Sequence, residues 1–155
     1  MKKSIITITL ALLVFGCKTK EKENVEENTG IEAVEAPVYI LEVGCYAYEG
    51  NGNHVLLEIT EINNSVLGNL SYNLAEKDAN SGTFAGMLQD SILIGKYTFM
   101  SEGTDGNTRE VAFLWKDGQL TEGYGELDET GTAFKYINSL QFTSNMPLSQ
   151  TECEP

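Results

Sequence analysis

The side chains that could do chemistry are few. The densest acidic set is Glu122-Gly123-Tyr124-Gly125-Glu126. At strand spacing Glu122, Tyr124 and Glu126 share one face and the glycines the other. Two carboxyls flanking a tyrosine suit acid/base hydrolysis or cation binding; a solvent-facing strand is the plainer account. Arg109 is the only arginine and His54 the only histidine. Arg109 falls on the same strand face as Val111, Phe113 and Trp115, which points it inward near a sheet end. A guanidinium there needs a carboxylate partner, and Glu102, Glu122 and Glu126 are the candidates. His54 follows a turn and precedes an apolar strand, the position of a solvated rim residue. No nucleophile motif accompanies it.

Metal and cofactor signatures are missing from the motif inventory. Asp78-Ala79-Asn80-Ser81-Gly82 and Asp105-Gly106-Asn107 resemble calcium loops in composition, but neither has the ligand count of such a loop. Turn chemistry accounts for their Asp, Asn and Gly. One histidine and no Cys-x-x-Cys argue against zinc. No cofactor is expected.

The N-terminus sets the context. Met1-Lys2-Lys3 is basic, residues 4–15 are apolar apart from Ser and Thr, and Gly16-Cys17 closes the run. Basic start, apolar stretch and small residue make a secretory signal. The run is shorter than the roughly 20 apolar residues that a spanning helix needs. Val14-Phe15-Gly16-Cys17 resembles the lipobox of bacterial lipoproteins, although Phe15 stands where a small or polar residue is usual. That resemblance implies cleavage before Cys17, thioether lipidation of its sulfur and acylation of the new amine. Two or more acyl chains hold a protein on a bilayer where one does not. The expected location is the bacterial envelope, on the outer membrane, facing the periplasm or the cell surface.

The chain's formal charge is −13. Residues 1–16 carry Lys2, Lys3 and no acid, so the processed chain stands at −15, with 8 Lys and Arg against 23 Asp and Glu. A nucleic-acid partner would need the opposite sign.

With Cys17 assigned to lipid, Cys45 and Cys153 remain as an even pair in an oxidising compartment, where a disulfide is the default. Two free thiols or a metal site are the alternatives.

These groups must be held by some fold. Residues 17–37 read as a flexible acidic linker without aromatic residues, too poor in apolar area to offset its ordering entropy. Residues 38–155 form one domain. Its pattern alternates with period 2 over 41–49, 54–61, 65–74, 83–88, 91–100, 108–116, 119–127 and 134–142. Asn51-Gly52 and Asp117-Gly118 are hairpin turns. About eight strands separated by short turns predict an all-β, up-and-down antiparallel β-barrel. The order of features, with Gly44-Cys45-Tyr46 in the opening strand, resembles the small lipocalin-like barrels of envelope lipoproteins. The copper-stress members of that group carry Cys-x-x-Cys in this strand; Cys45 stands alone, so that activity is not carried over. The expected role is a non-catalytic module that binds a small apolar ligand or an envelope protein, with a hydrolase built on Glu122 and Glu126 as the alternative. The nine aromatic residues Tyr46, Tyr72, Phe84, Tyr97, Phe99, Phe113, Trp115, Tyr124 and Phe142 are expected to line or fill the interior.

Overall fold

The computed structural model describes residues 40–101 and 104–153. The expected signal peptide, the expected lipidation site Cys17, the expected linker and Glu102 lie outside the described residues.

Eight antiparallel strands close into a barrel in sequence order: β1 (Gly44–Gly50), β2 (Asn53–Ile62), β3 (Val66–Asn73), β4 (Asn80–Gln89), β5 (Ile92–Ser101), β6 (Thr104–Lys116), β7 (Gln119–Gly123) and β8 (Leu148–Thr151). The expected up-and-down barrel is the fold. Alternation is the reason. In β3 the inward residues Val66, Gly68, Leu70 and Tyr72 are buried, while Leu67, Asn69 and Asn73 are exposed. Both Asn51-Gly52 and Asp117-Gly118 have positive φ at each central residue, 54° and 74° in the first and 52° and 79° in the second. Two left-handed residues in succession give a turn whose twist matches that of the flanking strands.

Closure depends on β8, which is short. It pairs with β1 through Cys45↔Thr151, Tyr46↔Gln150 and Ala47↔Ser149, and with β7 through Gln119↔Ser149 and Leu120↔Leu148. The disulfide Cys45–Cys153 fastens this seam, with an S–S distance of 2.08 Å.

One expected strand is not there. Residues 134–142 were predicted to close the series, but β8 does so, and the chain between β7 and β8 makes an excursion over the outer wall. Its alternation has another cause. Ile94, Ala112 and Gly123 face outward from three adjacent strands, in register. Leu140 packs with Ile94 and Ala112, and Phe134 and Phe142 join the cluster. A Cβ on Gly123 would lie 2.5 Å from the Phe142 ring, so that residue must be glycine for the ring to seat. The excursion is tied down by paired backbone bonds between Tyr124 and Gln141 (3.0 and 2.9 Å) and by Glu110 Oε2, which accepts from the Phe134 amide at 2.8 Å.

The interior is filled. Tyr46, Leu57, Ile59, Leu70, Phe84, Leu93, Tyr97, Phe113, Leu120 and Leu148 are all at most 1% exposed. Such packing builds a continuous core, and each large apolar side chain removed from water contributes about 1.5–3 kcal/mol. One barrel end is sealed by Leu41, which is buried in the core. The Tyr46 hydroxyl holds that segment, donating to the Glu42 carbonyl and accepting from its amide, both at 3.0 Å. Tyr46 also meets Trp115 edge to face, with ring centroids 5.7 Å apart. Among the described residues no helix is long and apolar enough to cross a membrane.

Candidate functional site

The other barrel end is open. Inward positions near the ends of consecutive strands converge there: Tyr72 on β3, Asn80 on β4, Tyr97 and Phe99 on β5, Arg109 on β6 and Glu122 on β7. Alternation aims each of them inward; closure of the sheet brings them together. Tyr97 stands opposite Arg109 in register, and Tyr72 opposite Asn80.

Arg109 sits among rings. Its guanidinium carbon lies 5.0 Å from the Tyr72 ring centre, 5.7 Å from Tyr97 and 5.9 Å from Phe99. Tyr97 and Phe99 stack with centroids 4.7 Å apart. A cation over an aromatic face is stabilised by about 0.5–2 kcal/mol, more when desolvated. The Arg109 Nε is buried without a hydrogen-bond partner. The single ion pair within 4.0 Å among the described residues is Lys135–Glu126, at 2.8 Å.

Glu122 shares the mouth but is occupied. The Tyr72 hydroxyl donates to its Oε1 at 2.8 Å, and the Tyr124 hydroxyl to its Oε2 at 3.4 Å. Burial pushes the Glu122 carboxyl above its ordinary value of 4.5, against the pull of the Tyr72 bond, the Arg109 charge and the Tyr124 bond. Burial likewise holds the Tyr72 hydroxyl well above the usual phenol range, with the Glu122 charge adding to the effect. Tyr97 is pushed up to about 12 by burial, with Arg109 opposing. Its hydroxyl donates to Asn80 Oδ1 at 2.8 Å. Burial also raises the Tyr124 hydroxyl, so Tyr72, Tyr97 and Tyr124 are all neutral donors at physiological pH.

A stability test follows from Glu122. A carboxyl with a raised folded value keeps its proton in the fold after the unfolded chain has released it. Stability is therefore lost as pH rises through and above 4.5, and the penalty is complete above the raised value. Glu122→Gln keeps an oxygen for the Tyr72 hydroxyl and removes the buried charge. It should raise the melting temperature by about 2–5 °C near neutral pH, with the gain shrinking as the pH falls toward about 4. Thermal scans across that range check it; a gain that does not depend on pH would reject the account.

Above these groups lies a cleft of about 340 Å³, lined by Tyr72, Leu74, Lys77, Asp78, Asn80, Arg109, Glu122, Tyr124 and Met146. A larger concavity of about 570 Å³ lies on the outer wall between β2 and β6, including Leu56, Ser71, Thr83 and Met100, and no titratable cluster converges on it.

The residues singled out in the sequence are distributed as follows. Arg109 and Glu122 meet at the mouth, joined through Tyr72 and without a direct ion pair. Glu126 does not join them: it sits on the excursion, exposed and bonded to Lys135. The chain leaves the barrel after Gly123, so the strand spacing that would have put Glu126 beside Glu122 ends there. The paired-carboxylate arrangement is thus not formed in the cleft. Tyr124 and Phe142 are not in the interior either; Tyr124 is exposed and Phe142 packs on the outer wall. His54 is exposed on the outer face, opposite Glu49 and Asn73. Asp78 and Asn80 line the cleft, and Asn80 is a hydrogen-bond acceptor for Tyr97. Among the described residues no group of three or more His, Cys, Asp or Glu could hold a metal ion. Sequence reading missed Tyr72 and Asn80 as mouth residues; their inward parity was the available signal.

No family model matches the chain, and no curated protein or solved structure matches it.

Proposed function

We propose that this chain is a bacterial envelope lipoprotein, anchored through Cys17, whose barrel is a non-catalytic module that takes a small amphiphilic ligand at its open mouth. The observation that carries the binding role is the cleft of about 340 Å³ with a ring-flanked guanidinium in its wall. Small-ligand clefts run from about 300 to 1,000 Å³ and combine apolar walls with a few convergent polar groups. Tyr72, Leu74, Tyr124 and Met146 supply the walls; Arg109, Asn80 and the tyrosine hydroxyls supply the polar points.

The ligand sits at the mouth and not inside, because the interior is packed with Tyr46, Phe84, Tyr97 and Phe113. The envelope placement rests on the signal-like N-terminus and the lipobox resemblance, and the Cys45–Cys153 disulfide agrees with an oxidising compartment.

Native mass spectrometry of the full chain, extracted from its own envelope in mild detergent, tests both parts. The expected protein mass begins at Cys17 and carries acyl groups, and Cys17→Ala abolishes that species. A second, dissociable mass corresponds to a mouth ligand. A chain retaining Met1 and no lipid would overturn the anchor. A chain with no adduct, and with no small amphiphile able to raise its melting temperature, would overturn the binding role.

A further inference from the structure

We propose that the mouth cleft recognises the carboxylate of a small amphiphilic acid, which Arg109 holds beside Tyr72 and Glu122, and that the complex forms with uptake of one proton. This inference rests on the mouth-ligand reading and names its ligand class.

Arg109 carries a charge that no carboxylate among the described residues pairs within 4.0 Å. It has three aromatic neighbours instead. Its Nε is buried and unbonded. A buried donor left without a partner costs about 1–3 kcal/mol, more for a charged group. Rings stabilise the cation but accept no conventional hydrogen bond. Glu122, the one carboxylate at the mouth that feels the Arg109 charge, has its two oxygens turned to the hydroxyls of Tyr72 and Tyr124. Arg109 therefore lines the cleft with its charge met by rings and by no carboxylate among the described residues. Planar guanidinium and carboxylate match as paired donors and acceptors.

The size of the cleft sets the rest of the ligand. At about 30 Å³ for each molecule of liquid water, about 340 Å³ holds roughly ten non-hydrogen atoms. An eight-carbon acid fits that space, its chain against Leu74 and Met146.

Proton uptake follows from the neighbours of Glu122. Facing it are Tyr72 from β3, Arg109 from β6 and Tyr124 from the start of the excursion, with Lys77 and Asp78 from the β3–β4 loop on the cleft wall. The tyrosines stay neutral. A second carboxylate placed beside Glu122 adds like-charge repulsion to its burial, and against the opposing Arg109 charge this favours a proton on one acid of the pair. That proton comes from solvent.

The experiment is isothermal titration calorimetry of the full chain with octanoate, octanol and octylamine, in two buffers of different ionisation heat. Octanoate is expected to bind at least tenfold more tightly than either analogue. Binding should absorb up to one proton near neutral pH, and affinity should fall by up to tenfold per unit of rising pH, the one-proton limit. Arg109→Met is expected to erase the preference for octanoate over octanol, and Arg109→Lys, which keeps the positive charge, to restore part of it. A structural arginine would instead weaken binding of all three probes alike. Glu122→Gln supplies an independent variant: it should bind octanoate more tightly and without proton uptake. Octanol binding as well as octanoate would overturn the carboxylate inference and leave the mouth-ligand reading standing. Acid preference without proton exchange would overturn the Glu122 step. No binding of any of the three probes, with no co-purifying mass, would overturn both readings.

Discussion

Replacing Cys45 and Cys153 together by alanine is expected to lower the melting temperature by about 15–20 °C. The bridge joins residues 108 apart in sequence. The chain-entropy model assigns a loop of that length about 4–5 kcal/mol. For a domain a little above 100 residues each kcal/mol is worth about 4 °C. The location sharpens the expectation. β8 is four residues long, and the bridge lies at its end, where Cys45 stands opposite Thr151. Only Leu148 in β8 is buried. Without the bridge, β8 is held by a handful of backbone bonds, the buried Leu148 and an exposed bond from Gln119 Nε2 to Ser149 Oγ at 3.0 Å. Its release would expose the edges of β1 and β7 and the core beneath them. Calorimetric scans of the double variant, and of the wild type with and without reductant, measure the effect. A loss below about 5 °C would mean that residual denatured-state structure already restrains the ends, or that Leu148 alone secures the seam.

The second large effect is expected from Gly82→Ala. Gly82 pairs with Leu70 on one side and Phe99 on the other. A Cβ there would stand 1.9 Å from the Thr98 carbonyl oxygen, 2.6 Å from the Phe99 Cα and 2.7 Å from the Thr98 carbonyl carbon. All three are backbone atoms of the neighbouring strand, so no rotamer change relieves the overlap. β4 and β5 would have to separate. Overpacking usually costs about 1–3 kcal/mol; a backbone clash should cost about 3 kcal/mol or more, roughly 12 °C. The consequence reaches the mouth, because Phe99 stacks on Tyr97 beside Arg109. Octanoate affinity should therefore fall along with stability. Thr83→Ala, on the exposed face one residue away, is the control and should stay within about 0.5 kcal/mol. If Gly82→Ala melts within about 2 °C of wild type, the close approach of β4 and β5 is not a constraint on this fold.

Much of the barrel was legible in the amino-acid order, and the reason is local. Alternation with period 2 needs no knowledge of partners, so the inward faces of β2 and β3 could be read from Val55, Leu57, Ile59, Val66, Leu70 and Tyr72. Asn-Gly and Asp-Gly mark turns because left-handed backbone is cheap for those residues. The parity of Arg109 with Val111 and Phe113 placed it inward for the same reason. What failed was also local evidence, applied where it could not decide. Residues 134–142 alternate because they pack on an outer patch made by Ile94, Ala112 and Gly123. Period 2 says that one face is buried but not against which surface. β8 gave little signal, since Leu-Ser-Gln-Thr buries only Leu148; its place is set by the two strands whose gap it fills.

By themselves the residues determined a meander of hairpins and a solitary inward arginine, since each of these rests on residue type and near-neighbour spacing. Only the closed tertiary structure decided that Tyr72 meets Glu122 across 50 residues of sequence, that Glu126 turns away to Lys135, and that Arg109 faces rings and an open cleft. Contacts across a barrel depend on closure and strand stagger, which are properties of all eight strands together and are encoded in no single segment.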